Sequence, residues 1–145
     1  MKSIKNLWLL SLLLVACSYT EPPLAPEYEA ALNRYLKVVH LTGPDQLDQV
    51  VMVPLAGCNP CIKDVLNHLS QNTIDVELIL TGINKDEEIK GLVETLQSQY
   101  SISWDQDNLH KKYRTNTSGP VLLGFESGKL KRLVKLEKSN LLSLL

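Results

Sequence analysis

The sequence is short of cysteine, of aromatic residues and of any block of one charge, and each shortage narrows what the chain can do. Three cysteines in 145 residues are too few for a disulfide scaffold. There is no second Cys pair to complete a zinc site of finger-like spacing. The three histidines, His40, His68 and His110, are scattered. His68 lies seven residues past Cys61, about 10 Å along a helix at 1.5 Å per residue, so it cannot touch the thiols. All three read as surface or half-buried side chains. Lysine and arginine total 15 against 16 acids, for a net charge of −1. Nucleic-acid binding is excluded, because neutralising phosphates takes clustered cations. The densest basic patch, Lys129-Leu130-Lys131-Arg132, alternates with apolar residues and reads as the solvated face of an edge strand. There is no apolar run long enough to span a bilayer, no internal repeat and no low-complexity segment.

What is present centres on Ala56-Gly57-Cys58-Asn59-Pro60-Cys61-Ile62-Lys63. An apolar run, Val50 to Leu55, precedes the two cysteines. Ile62, Val65, Leu66 and Leu69 follow at i, i+3, i+4, i+7, a helical spacing. Strand, loop and helix therefore come in order, with Cys58 and Cys61 where the helix starts. A thiol there faces unpaired backbone N–H groups and the positive end of the helix dipole. Both favour the thiolate, the species that attacks a disulfide. Pro60 suits a first turn, where no N–H partner is needed and φ is already helical. Cys61, one turn along, can close on Cys58 and release a mixed-disulfide partner. A purely structural disulfide or half of a zinc site are the plainer alternatives. A disulfide closing so short a loop adds little stability, so the structural role is poorly motivated.

The first residues have the form of an export signal. Lys2 and Lys5 make a positive start, and Leu7 to Val15 an apolar segment too short to span a bilayer. It ends in Leu14-Val15-Ala16-Cys17, which resembles the lipobox of bacterial lipoproteins. The resemblance implies cleavage before Cys17, a lipid on Cys17, and a domain held on a membrane. The division expected is a signal peptide over 1–16, a lipidated cysteine and linker over 17–27, and one folded domain over 28–145. Losing Lys2 and Lys5 would take the net charge from −1 to −3. With Cys17 acylated, Cys58 and Cys61 are left as a natural pair in a compartment where disulfides persist.

Ser18 to Pro26, with Pro22, Pro23 and Pro26, reads as a semi-rigid linker. Tyr28 to Leu36 is an amphipathic helix, although Lys37 to Leu41 could instead open a first strand. Thr42-Gly43-Pro44-Asp45 is a turn. Val50 to Val53 reads as a strand covered on both faces. A second β-type run spans Val76 to Leu80, and Asn84 with Asp86-Glu87-Glu88 marks a helix start. Ile89, Leu92, Val93 and Leu96 continue that helix. The order predicts a crossover with parallel strands. Ile102-Ser103-Trp104 is a short extended segment, with Trp104 expected in the core. One or two helical turns follow over Asp107 to Tyr113. Val121 to Phe125 and the run from Lys129 read as a hairpin across Glu126-Ser127-Gly128-Lys129. Ser139 to Leu145 can form a last short helix.

From Val38 to Leu136 the chain resembles the thioredoxin-like superfamily, in particular its membrane-tethered extracytoplasmic thiol-disulfide oxidoreductases. The residues carrying this are Cys58-Asn59-Pro60-Cys61 in their strand–helix setting, Trp104-Asp105-Gln106-Asp107-Asn108, Tyr113, Gly119-Pro120-Val121-Leu122-Leu123 and Ser127-Gly128-Lys129-Leu130. The resemblance implies an α/β fold with a central mixed sheet flanked by helices. It implies that Cys58 attacks, that Cys61 resolves, and that a cis Pro120 beside them helps Gly119 receive an extended substrate segment. Four positions depart from the family pattern. Gly57 stands where Trp is usual, Asn59-Pro60 where Gly-Pro is commonest, Met52 where many members bury an acid, and Gly119 where Thr or Val precedes the proline.

The expectation is an envelope thiol-disulfide oxidoreductase with protein thiol or disulfide substrates and a redox partner protein. It calls for no cofactor and no metal. A non-catalytic lipoprotein of the same fold that binds a partner is the alternative from another class. Copper delivery through the two thiols is a further one, since soft thiolates suit copper(I). A peroxidase of the peroxiredoxin type does not fit, because Pro54 is too close to Cys58 for that family's spacing.

Overall fold

Period-two alternation in the central strand fixes the layers. In a computed structural model that describes residues 25–39, 48–115 and 117–145, strand β1 (Gln49–Pro54) is covered on both faces. Val51 and Val53 join one buried cluster, and Val50 and Met52 the other. The first cluster is closed by helices α2 (Asn59–Gln71) and α3 (Glu87–Gln97), through Ile62, Val65, Leu66 and Leu69 and through Ile89, Val93 and Leu96. The second is closed by α1 (Pro26–Val39), through Leu32, Tyr35 and Leu36. Helices therefore lie on both sides of a single sheet, the arrangement expected when strands are apolar on both faces.

That sheet has five strands in the order β3-β2-β1-β4-β5. β2 (Glu77–Thr81) runs parallel to β1, with Val51 opposite Leu78 and Pro54 opposite Thr81. β3 (Ile102–Asp105) runs parallel to β2, with Thr81 opposite Asp105. β4 (Val121–Glu126) is antiparallel to β1, with Met52 opposite Val121, and β5 (Lys129–Lys135) is antiparallel to β4. Two short helices, α4 (Leu109–Lys112) and α5 (Leu141–Leu144), complete the chain. The result is a mixed sheet flanked by helices, the α/β architecture that the sequence predicts. The basic segment from Lys129 lies on the edge strand β5, with Leu130 buried beneath exposed lysines.

Three local expectations need correction. Lys37 to Val39 end α1 rather than opening a strand, and the strand could only have continued into residues outside the described ones. Helix α1 begins at Pro26, two residues before Tyr28, because proline fits a first helical position. Trp104 is not a core residue. It is 37% exposed on the edge strand β3, and its indole N–H donates to the Gly82 carbonyl at 3.2 Å. The turn expected over Thr42 to Asp45 and the leader with Cys17 lie outside the described residues.

Candidate functional site

The parallel strands and the reversed β4 bring several segments to one edge of the sheet. The C-terminal ends of β1, β2 and β3 sit there, as does the N-terminal end of β4. In open α/β sheets this is the edge where chemistry gathers. The chain leaves β1 at Pro54 and turns tightly, with Leu55 N–H donating to Thr81 O at 2.9 Å and Gly57 N–H to Pro54 O at 3.1 Å. A Cβ on Gly57 would stand 3.1 Å from that same carbonyl. The close turn thus gives a physical reason for glycine at this position.

Cys58 is the N-cap of α2, with extended backbone at φ −69° and ψ 106°, and its carbonyl accepts from Ile62 N–H at 3.0 Å. Proline occupies the helix's first turn, which has no acidic residue. The partial positive charge of the helix start is therefore not neutralised by α2 itself, which favours a thiolate at Cys58. Cys58 is exposed and Cys61 is half-buried one turn on. They are joined as a disulfide with Cα atoms 5.4 Å apart, within the ordinary range for a bridged pair. Met52, on the strand that leads to them, is 1% exposed in the apolar cluster on the α1 side of the sheet. The strand that leads to the cysteines therefore carries no acid.

The residue between the cysteines is tied to the β2–α3 loop. Asn84 donates from its side-chain amide to Asn59 Oδ1 at 3.0 Å and to the Leu55 carbonyl. Its oxygen accepts from Asp86 N–H at 2.8 Å. Asp86 caps α3 by accepting from Glu88 and Ile89 N–H, and it also receives Asn59 Nδ2 at 3.5 Å. Lys63, on the first turns of α2, pairs with Asp86 at 3.0 Å and with Glu88. The Lys63 hydrogen bond, helped by the cap N–H groups, holds the Asp86 carboxyl below its ordinary pKa. Glu88 and then Asp86 hold the Lys63 ammonium above its own. Gly82 enters this loop with φ at +74°. A Cβ there would lie 3.8 Å from Ala56 Cβ and 3.7 Å from Asn108 Oδ1, so three loops converge beside the cysteines.

A second polar group lies at the end of β3. Asp105 is 2% exposed and accepts from Leu109 N–H at 2.8 Å, His110 N–H at 2.9 Å, His110 Nδ1 at 2.9 Å and Tyr35 O–H at 3.2 Å. Burial alone would raise its pKa, but these four bonds outweigh it and hold the carboxyl below the ordinary value. Burial, with the Asp105 charge and hydrogen bond, pushes the Tyr35 phenol far up. His110 is 8% exposed, which corrects its reading as a surface or half-buried side chain. The buried carboxylate supplies the partner that makes burial of the ring affordable. In the sequence Asn84 reads only as part of the start of α3, and Asp105 only as one residue of the run Trp104 to Asn108; no local pattern signals the partners that they find in the fold.

The cis proline is a correction. There is no cis peptide bond among the described residues, so Gly119–Pro120 is trans. Trans is the lower form of an X–Pro bond by about 0.5–1 kcal/mol, and a bend at Ser118 and Gly119 already leads the chain into β4. Pro120 still sits at the cysteine edge of the sheet, one residue before Val121, and its carbonyl accepts from Leu136 N–H at 2.9 Å. Gly119 and Pro120 are both buried, and Ser118 is the exposed residue of that loop.

No protein-family model matches the chain, and no curated protein matches it. Among solved structures the chain is similar to a secreted Mycobacterium tuberculosis disulfide oxidoreductase described as homologous to E. coli DsbE. The identity is 12% and the TM-score 0.41, over 65% of this chain and 77% of that one.

Proposed function

We propose that this chain is a thiol-disulfide oxidoreductase of a bacterial envelope, held on a membrane through Cys17 and exchanging disulfides with protein substrates through Cys58 and Cys61. The observation that carries the reading is the placing of Cys58: exposed, at the start of α2, bonded to Cys61, and on the sheet edge where three loops converge. In the reducing direction the Cys58 thiolate attacks a substrate disulfide. One Cys58–substrate bond forms and one substrate thiolate leaves. The Cys61 thiolate then attacks Cys58 Sγ, closes the intramolecular disulfide and expels the second substrate thiolate. Protons for the leaving thiolates come from water, since Met52 offers none. The reverse sequence oxidises a substrate dithiol. The loop at Gly119 and Pro120 lies beside this edge and would contact an extended substrate segment through its exposed Ser118.

The envelope location rests on the leader and on the lipobox-like Leu14-Val15-Ala16-Cys17. The test is the full chain, reduced, set against a protein disulfide such as that of insulin. Reduction of that disulfide, abolished in Cys58→Ser, supports the enzyme. No turnover by the wild-type chain in either direction would leave a disulfide-stapled binding protein.

A further inference from the structure

Away from the cysteines, α1 and α4 enclose a cleft of about 620 Å³. Its walls carry Arg34, Lys112 and Arg114, the rings of Tyr28 and Tyr113, and one acid, Glu27. Three cations therefore converge against one carboxylate in a chain whose net charge is −1. None of the three forms an ion pair with a described residue, whereas Lys63, Lys90, Lys131 and Lys135 each pair with an acid. Like charges gathered without a counter-ion repel, and an anion placed among them removes that repulsion. The two tyrosines add half-buried rings with polar tips, the side-chain type that sits well at a membrane–water boundary.

The occupant is indicated by where the chain comes from. Ala25 is itself part of the cleft wall. It is eight residues beyond Cys17, and eight residues reach at most ~28 Å when fully extended. If Cys17 is acylated, the cleft is held within that distance of the lipid headgroups. So short a tether keeps anionic headgroups at high effective concentration, and juxtamembrane Lys and Arg are drawn to such a surface.

We propose that the cleft between α1 and α4 binds the phosphate headgroups of anionic phospholipids and seats the domain on its membrane. The inference rests on the anchor reading of Cys17. Acyl chains supply the retention, and the cleft supplies the orientation. Ala25 and Tyr28 also line a groove that runs to Ser118 and Val121, so seating the cleft sets how far the Pro120 end of the exchange edge stands from the surface.

The chain contains three arginines, two in the cleft and one, Arg132, exposed on β5. This provides an internal reference. The full chain, isolated with its anchor, is reconstituted into vesicles of phosphatidylcholine alone or mixed with phosphatidylglycerol, and its arginines are modified with phenylglyoxal. Modification of Arg34 and Arg114 should slow several-fold only with phosphatidylglycerol, and should recover in high salt, while Arg132 stays unchanged. Equal reactivity in both vesicles, or slowing of all three arginines alike, overturns the proposal. Equal protection by polyglutamate or by inorganic phosphate without vesicles also overturns it, in favour of an acidic polypeptide or a free anion. Flotation is read in the same samples. A chain that does not float fails the anchor reading and takes this proposal with it. A chain that floats with both arginines reactive fails this proposal alone.

Discussion

Asn84 holds Asn59, the residue next to Cys58, by a 3.0 Å hydrogen bond across 25 positions of sequence. The same amide fixes the Leu55 carbonyl at the base of the turn that carries the cysteines. One side chain on the β2–α3 loop therefore joins both ends of the segment that presents Cys58. Lys63 completes the group by pairing with both Asp86 and Glu88 and offsetting part of their charge.

The charge balance of that group sets the first prediction. Replacing Lys63 with Met removes the cation and leaves Asp86, which contacts Asn59, and Glu88 without it. Their uncompensated charge disfavours a neighbouring thiolate, so the pKa of reduced Cys58 should rise. Exposure and salt screen the effect, so alkylation of Cys58 at fixed pH should slow by only about two-fold. The check is the pH dependence of alkylation in the reduced full chain. An unchanged or faster rate means that these carboxylates do not act on the thiol.

Asn84→Ala tests the positioning directly. It removes the donor to Leu55 O and Asn59 Oδ1, and should cost about 1 kcal/mol of stability. A positioning role requires that Asn84 hold Asn59 more tightly in one redox state than in the other, so the substitution should also shift the reduction potential of the Cys58–Cys61 pair. Loss of stability with an unaltered potential would make Asn84 a structural residue only.

Asp105 gives a pH prediction. Its pKa is lower in the folded chain than the ordinary value of 3.8. The unfolded chain therefore takes up this proton at higher pH than the folded one does. The stability it contributes is complete above about pH 4–5 and is lost as pH falls through the folded pKa. Denaturation curves from pH 6 downward should show this loss in the wild type, and a smaller one in Asp105→Asn. Asp105→Ala leaves Tyr35 O–H, the His110 ring and two backbone N–H groups without their partner, and should cost about 3 kcal/mol or more. A neutral result would mean that water replaces the carboxylate.

The anchor is tested by Cys17→Ser. The wild-type protein should partition with membranes and carry a mass increment on Cys17. The variant should appear in the soluble fraction, because one weak contact cannot replace a pair of acyl chains. A variant that remains membrane-bound removes the anchor from this account.

Much of this fold is legible locally. Val50 to Val53 is apolar on both faces, and it is the central strand. Ile62, Val65, Leu66 and Leu69 define α2, and Asp86 caps α3, because capping and helical spacing act within a few residues. Trp104 misleads because burial depends on strand order, and β3 proves to be an edge. Tyr35 and Asp105 meet across 70 positions, a distance at which neither period nor spacing carries a signal. The trans Gly119–Pro120 bond marks the limit of resemblance. Proline marks the turn into β4, but its isomer depends on packing that the sequence alone does not display.

The most direct test is a trapping experiment on the resolving cysteine. If Cys58 attacks and Cys61 resolves, reduced full-length Cys61→Ser mixed with a disulfide-bonded protein should accumulate a mixed disulfide through Cys58. Its mass should identify that bond, and Cys58→Ser should capture nothing. Capture by Cys58→Ser alone would reverse the two roles. Capture by neither variant, with both thiols unreactive in the reduced native chain, would contradict the enzyme and leave the pair as a structural disulfide.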